Sequence, residues 1–273
     1  MNSERPPSLN RHALDALYAR YNRREMIQSD PVQFVYWYED RRDREIAGLV
    51  ASSLALGNIR QILASVRFVL QRMKPSPLRY LDPLSREELQ RTFAGFRHRF
   101  ITGDELASML FGAKCMIERC GSLHACFSAN LRASDDTILP ALSAFVKALG
   151  SASNGQRNRL LPPPEKGSAC KRLHLFLRWM VRRDSVDPGG WEDVPAAQLI
   201  VPLDTHIHRI CHVLGLTKRR QANMHTALEV TSAFREIIPE DPVRYDFALA
   251  HLGIDGGKNL DLFLKRCGVA QTR

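Results

Sequence analysis

The chain has no CxxC pair, although it carries six cysteines: Cys115, Cys120, Cys126, Cys170, Cys211 and Cys267. Their scatter fits neither a zinc site, nor an iron–sulfur run, nor a disulfide framework. Free thiols, several of them buried, in a reducing cytosol are the economical expectation; Cys211, between Ile207 and Leu214, sits on an apolar helical face. Long apolar runs are also missing, because charges interrupt each one before the roughly 18 residues a membrane helix needs. Met1 to Arg11 is polar and charged, with no apolar centre, so it does not read as a secretory signal. Strand-type alternation is nearly absent, and there are no internal repeats and no HExxH. These gaps exclude a membrane-spanning chain, a disulfide-stapled scaffold, a repeat solenoid and a common zinc protease.

What the chain does have is positive charge and helical periodicity. Lys and Arg number 39 against 29 Asp and Glu, a net charge of +10. A surplus of that size favours a polyanionic partner, because neutralising phosphates releases condensed counterions. With no membrane-spanning segment, nucleic acid is the expected polyanion. At 273 residues and 44% hydrophobic composition, the chain can build one large domain or two smaller lobes.

Helix signals follow one another along the sequence. Asn10 is placed to cap a first helix carrying Leu14, Leu17, Tyr18 and Tyr21. Ile46, Leu49, Val50 and Leu54 mark a second, which ends at Gly57, and Asn58 can cap a third bearing Ile62, Val66, Val69 and Met73. Ser85 with Glu88, and Thr102 with Glu105, have capping-box spacing. Another helix is expected near Ile138 to Leu149. Residues 151–168 are rich in Ser, Asn, Gly and Pro and read as a dividing loop. Beyond it, helices are expected over about 168–183, from Asp204 or Thr205 to Gly215, and over about 223–238, 242–252 and 258–267. Asp241-Pro242 looks like an N-cap followed by proline at the first helical position.

The segment PLDTHIHRICHVLGL, Pro202 to Leu216, resembles a stretch shared by the helix-hairpin-helix DNA glycosylase superfamily, which includes endonuclease III and the 8-oxoguanine glycosylases. The resemblance implies a catalytic aspartate at Asp204. It also sets LPPPEKGSACKR, Leu161 to Arg172, against the family's hairpin, which implies a nucleophilic lysine at Lys171. EIAGLVASSLALGNIRQI, Glu45 to Ile62, is similar to the family's first core helix and DNA-inserting loop, with Gly57 and Asn58 in that loop and Arg60 beside it. DPVRYDFALAHLGI fits the closing helices. The archaeal 8-oxoguanine branch and its bacterial relatives are the nearest in pattern. The chain departs from the common members in three ways: prolines replace hairpin glycines other than Gly167, an insertion holding Trp191 separates Lys171 from Asp204, and cluster cysteines are absent. No cofactor is therefore expected.

The chemistry suits these residue types. Cleaving an N-glycosidic bond leaves positive charge on the sugar, which a fixed carboxylate stabilises. An amine attacking the sugar carbon forms a Schiff base, a route to strand scission. DNA contacts are expected from Gly57, Asn58, Arg60, Gly167, Arg172, His206 and Arg209, and base stacking from Trp191. Each has an ordinary counterpart: Asp204 as a helix cap, Lys171 as a solvated helix lysine, Trp191 as a core anchor of its loop. Two other functions stay open. One is a nucleic-acid-binding protein of the same fold without the chemistry. The other is a metal-dependent hydrolase built on Asp204, His208 and His212, which recur every four residues.

The expectation is thus an all-α, two-lobed chain of the glycosylase type with a basic cleft. Residues 42–184 would form one lobe, and 1–41 with 185–273 the other. It would act as a cytoplasmic, nucleoid-associated monomer on damaged duplex DNA, removing an oxidised base with strand cleavage.

Overall fold

Thirteen α-helices, four short 3-10 segments and one hairpin of two-residue strands form the regular structure of the described residues, 10–151 and 155–269, of the computed structural model. The expectations for the polar N-terminus and for part of the dividing loop fall largely on residues 1–9 and 152–154, outside that range. The helices are α1 (Arg11–Tyr21), α2 (Arg41–Ser53), α3 (Ile59–Arg72), α4 (Pro77–Leu81), α5 (Arg86–Thr92), α6 (Gly103–Cys120) and α7 (Leu123–Ser128). They continue with α8 (Leu139–Gly150), α9 (Lys171–Val181), α10 (Thr205–Val213), α11 (Met224–Ile237), α12 (Asp246–Asp255) and α13 (Gly257–Arg266). Strands β1 (Arg97–His98) and β2 (Ile101–Thr102) pair antiparallel between α5 and α6. None of the helices is long and apolar enough to cross a membrane.

The caps hold as the sequence implies. Asn10, Asn58 and Asp204 each accept a main-chain N–H of the helix they precede, and both capping boxes are complete. Asp241 is different. Its carboxylate is held by Arg182 Nε at 2.9 and 3.0 Å, residues 242–245 form a turn, and α12 begins only at Asp246. A buried guanidinium outcompetes a local cap for the same carboxylate. Cysteine also departs from expectation: Cys120 and Cys126 are disulfide-bonded, and the other four are free. Gly121, at φ 88°, ends α6 in a left-handed turn that folds α7 back to bring the two sulfurs together.

Helix α2 runs through the interior and packs against α3, α4, α7, α9 and the 3-10 segment Pro31–Trp37. Its small residues permit this: Gly48 faces Met180 and Phe176 of α9, where a Cβ would lie 2.9 Å from the terminal methyl of Met180. Helix α6 packs against α5, α7 and α8, with Gly112 directly under the Leu149 carbonyl. Helix α12 packs against α1, α10 and α13, so the N-terminal helix joins the C-terminal ones. The buried apolar residues of both groups form one continuous cluster.

Candidate active site

Helices α9 and α10 both begin at the same place. Lys171 is the first residue of α9, and Asp204 is the N-cap of α10. Asp204 divides its carboxylate between two tasks. Oδ1 accepts the N–H groups of His206 and Ile207, each at 2.9 Å, while Oδ2 lies 3.2 Å from Lys171 Nζ. The cap holds the carboxylate rigid, and the side chains are 35% (Lys171) and 19% (Asp204) exposed, so solvent reaches both. A lysine at the first helical position faces the positive end of the helix dipole, so helix stability does not account for it.

The residue before Lys171 is strained. Cys170 has φ 46°, a left-handed conformation that non-glycine residues seldom adopt. Its N–H donates to Ser168 Oγ, its thiol contacts the Pro162 carbonyl, and burial pushes that thiol up to about 11. The turn Pro164–Lys166 precedes it, and Gly167 closes that turn at φ 79°. Gly167 was expected to offer its backbone to DNA. Instead its N–H donates to Pro164 and its carbonyl accepts from Met224, which docks the loop on α11 and leaves no free donor at that residue.

Arg172 likewise turns inward. It donates to the Ser53 carbonyl at 2.7 Å and to the Arg159 carbonyl, and burial pulls its guanidinium below its ordinary value. It ties α9 to the end of α2 and does not reach outward for a phosphate. Through that tie, the exposed turn Gly57-Asn58 and the first residues of α3, Ile59 and Arg60, are linked to the start of α9. Gly57 takes φ 103°, and Asn58 Oδ1 accepts from Arg60 N at 2.9 Å. His206 and Arg209 lie exposed on α10.

Trp191 requires a correction. Expected as a stacking platform, it has no exposed surface; its Nε1 donates to Glu45 Oε1 at 3.0 Å, and Phe176, Phe127 and His124 enclose the ring. Its indole anchors the inserted loop on α2 and offers no face to a base. The metal alternative fares no better. Among the described residues, no group of three or more His, Cys, Asp or Glu is placed to hold a metal ion, and His208 Nε2 is engaged by the Arg219 carbonyl at 2.8 Å. Two cavities, of about 210 and about 50 Å³, lie elsewhere; neither is lined by Lys171 or Asp204.

Two features escape a linear reading. The turn between β1 and β2 lies against Gly57: a Cβ there would meet the Arg99 side chain at 2.7 Å, Arg99 itself has φ 56°, and Phe100 is 47% exposed. Buried His98 fixes this arrangement. Its Nε2–H donates to the Leu56 carbonyl, which leaves Nδ1 to accept from Ser65 Oγ. The second feature is a buried ionic chain. Arg178 binds Asp187 and Asp246, while Arg182 binds Asp187, Asp184 and Asp241. Its sequence signal was an arginine within the apolar run of α9.

Residues 30–255 match the model of a family described as a protein of unknown function (DUF2400). No curated protein and no solved structure matches the chain.

Proposed function

The chain belongs to the DUF2400 family, and we propose, from the geometry of its Lys171–Asp204 pair, that it is a DNA glycosylase with AP-lyase activity that removes an oxidised base of the 8-oxoguanine kind. The observation that carries this reading is the meeting of Lys171 Nζ and Asp204 Oδ2 at 3.2 Å, solvent-accessible, where two helices begin. Asp204 Oδ2 is placed to take a proton from the ammonium. The freed amine attacks C1′ of the damaged nucleotide, and the N-glycosidic bond breaks with its electron pair leaving on the base, which takes up a proton. That proton is the one Asp204 received, and the carboxylate restored by giving it up stabilises the positive charge that builds on the sugar. Opening of the sugar ring then gives a Schiff base on Lys171, from which elimination cleaves the strand. The proposed site is that of a protein bound to the nucleoid.

Substrate binding follows from charge and shape. The net charge of +10 supplies long-range attraction to DNA. The left-handed turns at Gly57 and Arg99 lie against each other and carry exposed Asn58, Arg60 and Phe100, side chains of the types that contact a phosphate or fill the gap left by an extruded base.

One observation favours a second reading. An ion pair between a helix cap and a neighbouring lysine is also an ordinary tie between helices, and that is compatible with a DNA-binding protein without the chemistry. Borohydride trapping separates the two. Wild-type protein on duplex carrying 8-oxoguanine should give a covalent adduct with base release, and Lys171→Ala should give none. Salt-sensitive DNA binding with neither adduct nor base release would overturn the enzyme reading.

A further inference from the structure

The end of α9 remote from Lys171 borders the larger of the two cavities, which Met180 lines from its last turn. At a helical rise of about 1.5 Å per residue, Met180 lies roughly 13 Å along the axis from Lys171. Three guanidiniums line this cavity: Arg41 and Arg44 from the first turn of α2, and Arg183 from the loop after α9. Two carboxylates, Glu39 and Glu192, line it as well, which leaves a surplus of one positive charge. An arginine in the first turn of a helix opposes the helix dipole, so the stability of α2 does not account for Arg41 or Arg44.

The carboxylates do not engage most of these cations. Arg41 alone pairs with one, its Nη2 3.2 Å from Glu192 Oε2, at an exposed position. Arg44 is aimed by one bond, from Nε to the Tyr38 carbonyl at 2.8 Å, which leaves both Nη groups without a described acceptor. The side chains of Arg183 and Glu39 bond to no described group. Backbone completes the cluster. Gly189 and Gly190 take φ 68° and 131°. The N–H groups of Gly189 and Trp191 donate to the carbonyls of Trp179 and Met180, but the Gly190 N–H between them has no described acceptor. A Cβ at Gly190 would meet only Arg41 Nε, at 3.9 Å, so the missing side chain keeps the space beside that guanidinium open.

We propose that this cavity binds a phosphomonoester whose organic part carries a hydroxyl or N–H group. A phosphate dianion accepts hydrogen bonds from several directions at once, which suits guanidiniums converging from α2 and from the loop after α9. A flat, singly charged carboxylate would occupy one guanidinium fork and leave the others unmet. The cavity measures about 210 Å³, against about 10–15 Å³ needed by a single water, so it has room for more than a bare phosphate. Met180 and Pro188 offer apolar contact to that remainder, and unpaired Glu39 offers an acceptor for its hydroxyl or N–H. A free nucleotide and the 5′-phosphorylated end of a strand share this chemistry.

The test is calorimetric titration of the full-length protein at about pH 7.5, where a phosphomonoester is largely a dianion. It reads binding alone, so its outcome is independent of the glycosylase reading. The probes are thymidine, thymidine monophosphate, and a thymidine trinucleotide with and without a 5′-phosphate. The phosphorylated probes should bind saturably and their unphosphorylated counterparts should not. Arg183→Gln keeps the β- and γ-carbons that border Gly189 and, with no partner lost, should fold as the wild type does. It should weaken binding about tenfold or more, the loss of one charge-assisted hydrogen bond. Arg44→Gln should act alike, and Arg67→Gln, an exposed arginine of α3, should leave affinity unchanged. The tighter of the two phosphorylated probes identifies the source, free nucleotide or strand end. Absence of saturable binding by both, or an equal loss in Arg67→Gln, overturns the proposal.

Discussion

Asp204→Asn is the perturbation that best separates a structural from a chemical aspartate. Asn is as good an N-cap as Asp, so the bonds from His206 and Ile207 to the side-chain oxygen can persist. What disappears is charge. A partly exposed ion pair contributes about 0–1 kcal/mol, and a carboxylate at a helix N-terminus about 0.3–1 kcal/mol. The stability loss should therefore be about 1 kcal/mol, or a fall in Tm of about 2–4 °C. Base release should fall much further. Removing the carboxylate that balances developing charge on the sugar and takes the lysine proton should lower the single-turnover rate by about 10²–10⁴. Thermal denaturation gives the first quantity, and single-turnover cleavage of an 8-oxoguanine duplex gives the second. Asp204→Ser, another capping residue without charge, should behave alike. Base release within tenfold of wild type, or a rate loss that merely tracks the fraction unfolded, would refute the assignment.

Two further substitutions probe the scaffold around the site. Trp191→Phe removes the donor 3.0 Å from Glu45 Oε1, leaving that carboxylate to main-chain donors such as the Leu123 N–H, and should destabilise by about 1.5–3 kcal/mol. Because burial raises Glu45 above its ordinary 4.5, the unfolded chain releases this proton first, and stability is withdrawn as pH climbs from there. The variant raises Glu45 further, so its deficit in urea denaturation should be greater at pH 7 than at pH 5; equal deficits would contradict the assignment. Gly112→Ala places a Cβ 2.1 Å from the Leu149 carbonyl oxygen, which forces α6 and α8 apart and should destabilise by about 2 kcal/mol. An unchanged Tm would show that the two helices do not approach as closely as described.

The helices were legible because their signals are local. The Asn10, Asn58, Ser85 and Thr102 caps lie within three residues of the groups they serve, and the apolar stripe of Ile207, Ile210, Cys211 and Leu214 is buried as its spacing implies. Legibility failed where a distant partner redirected a local signal. Asp241 precedes a proline as a cap would, but Arg182 claims its carboxylate from across the fold. Trp191 looked available in a polar loop, yet Glu45 receives its indole N–H in the core. Cys120 and Cys126 carry no motif, and only the turn at Gly121 makes them neighbours. Of the candidate site, the proximity of Lys171 to Asp204 was implied only by resemblance, because the chain between them gives no local distance information.

The buried ions explain why the pair should be so well held. Two guanidiniums, Arg178 and Arg182, face four carboxylates, Asp184, Asp187, Asp241 and Asp246, so the chain of contacts carries more negative than positive charge. Apolar side chains of similar volume would serve stability as well, since desolvating ions offsets most of their attraction. What apolar packing does not supply is direction. Each guanidinium fixes the angle of several partners at once, and here those partners lie on α12 and on the loops that follow α9 and precede α12. Helix α10 in turn packs on α12, so the start of α10 is referenced to α9 through a set of bonds that tolerates little slippage. The surplus negative charge is not spread evenly either. At one end Tyr18 donates to Asp184 at 3.0 Å, and at the other Asp246 keeps a bare oxygen.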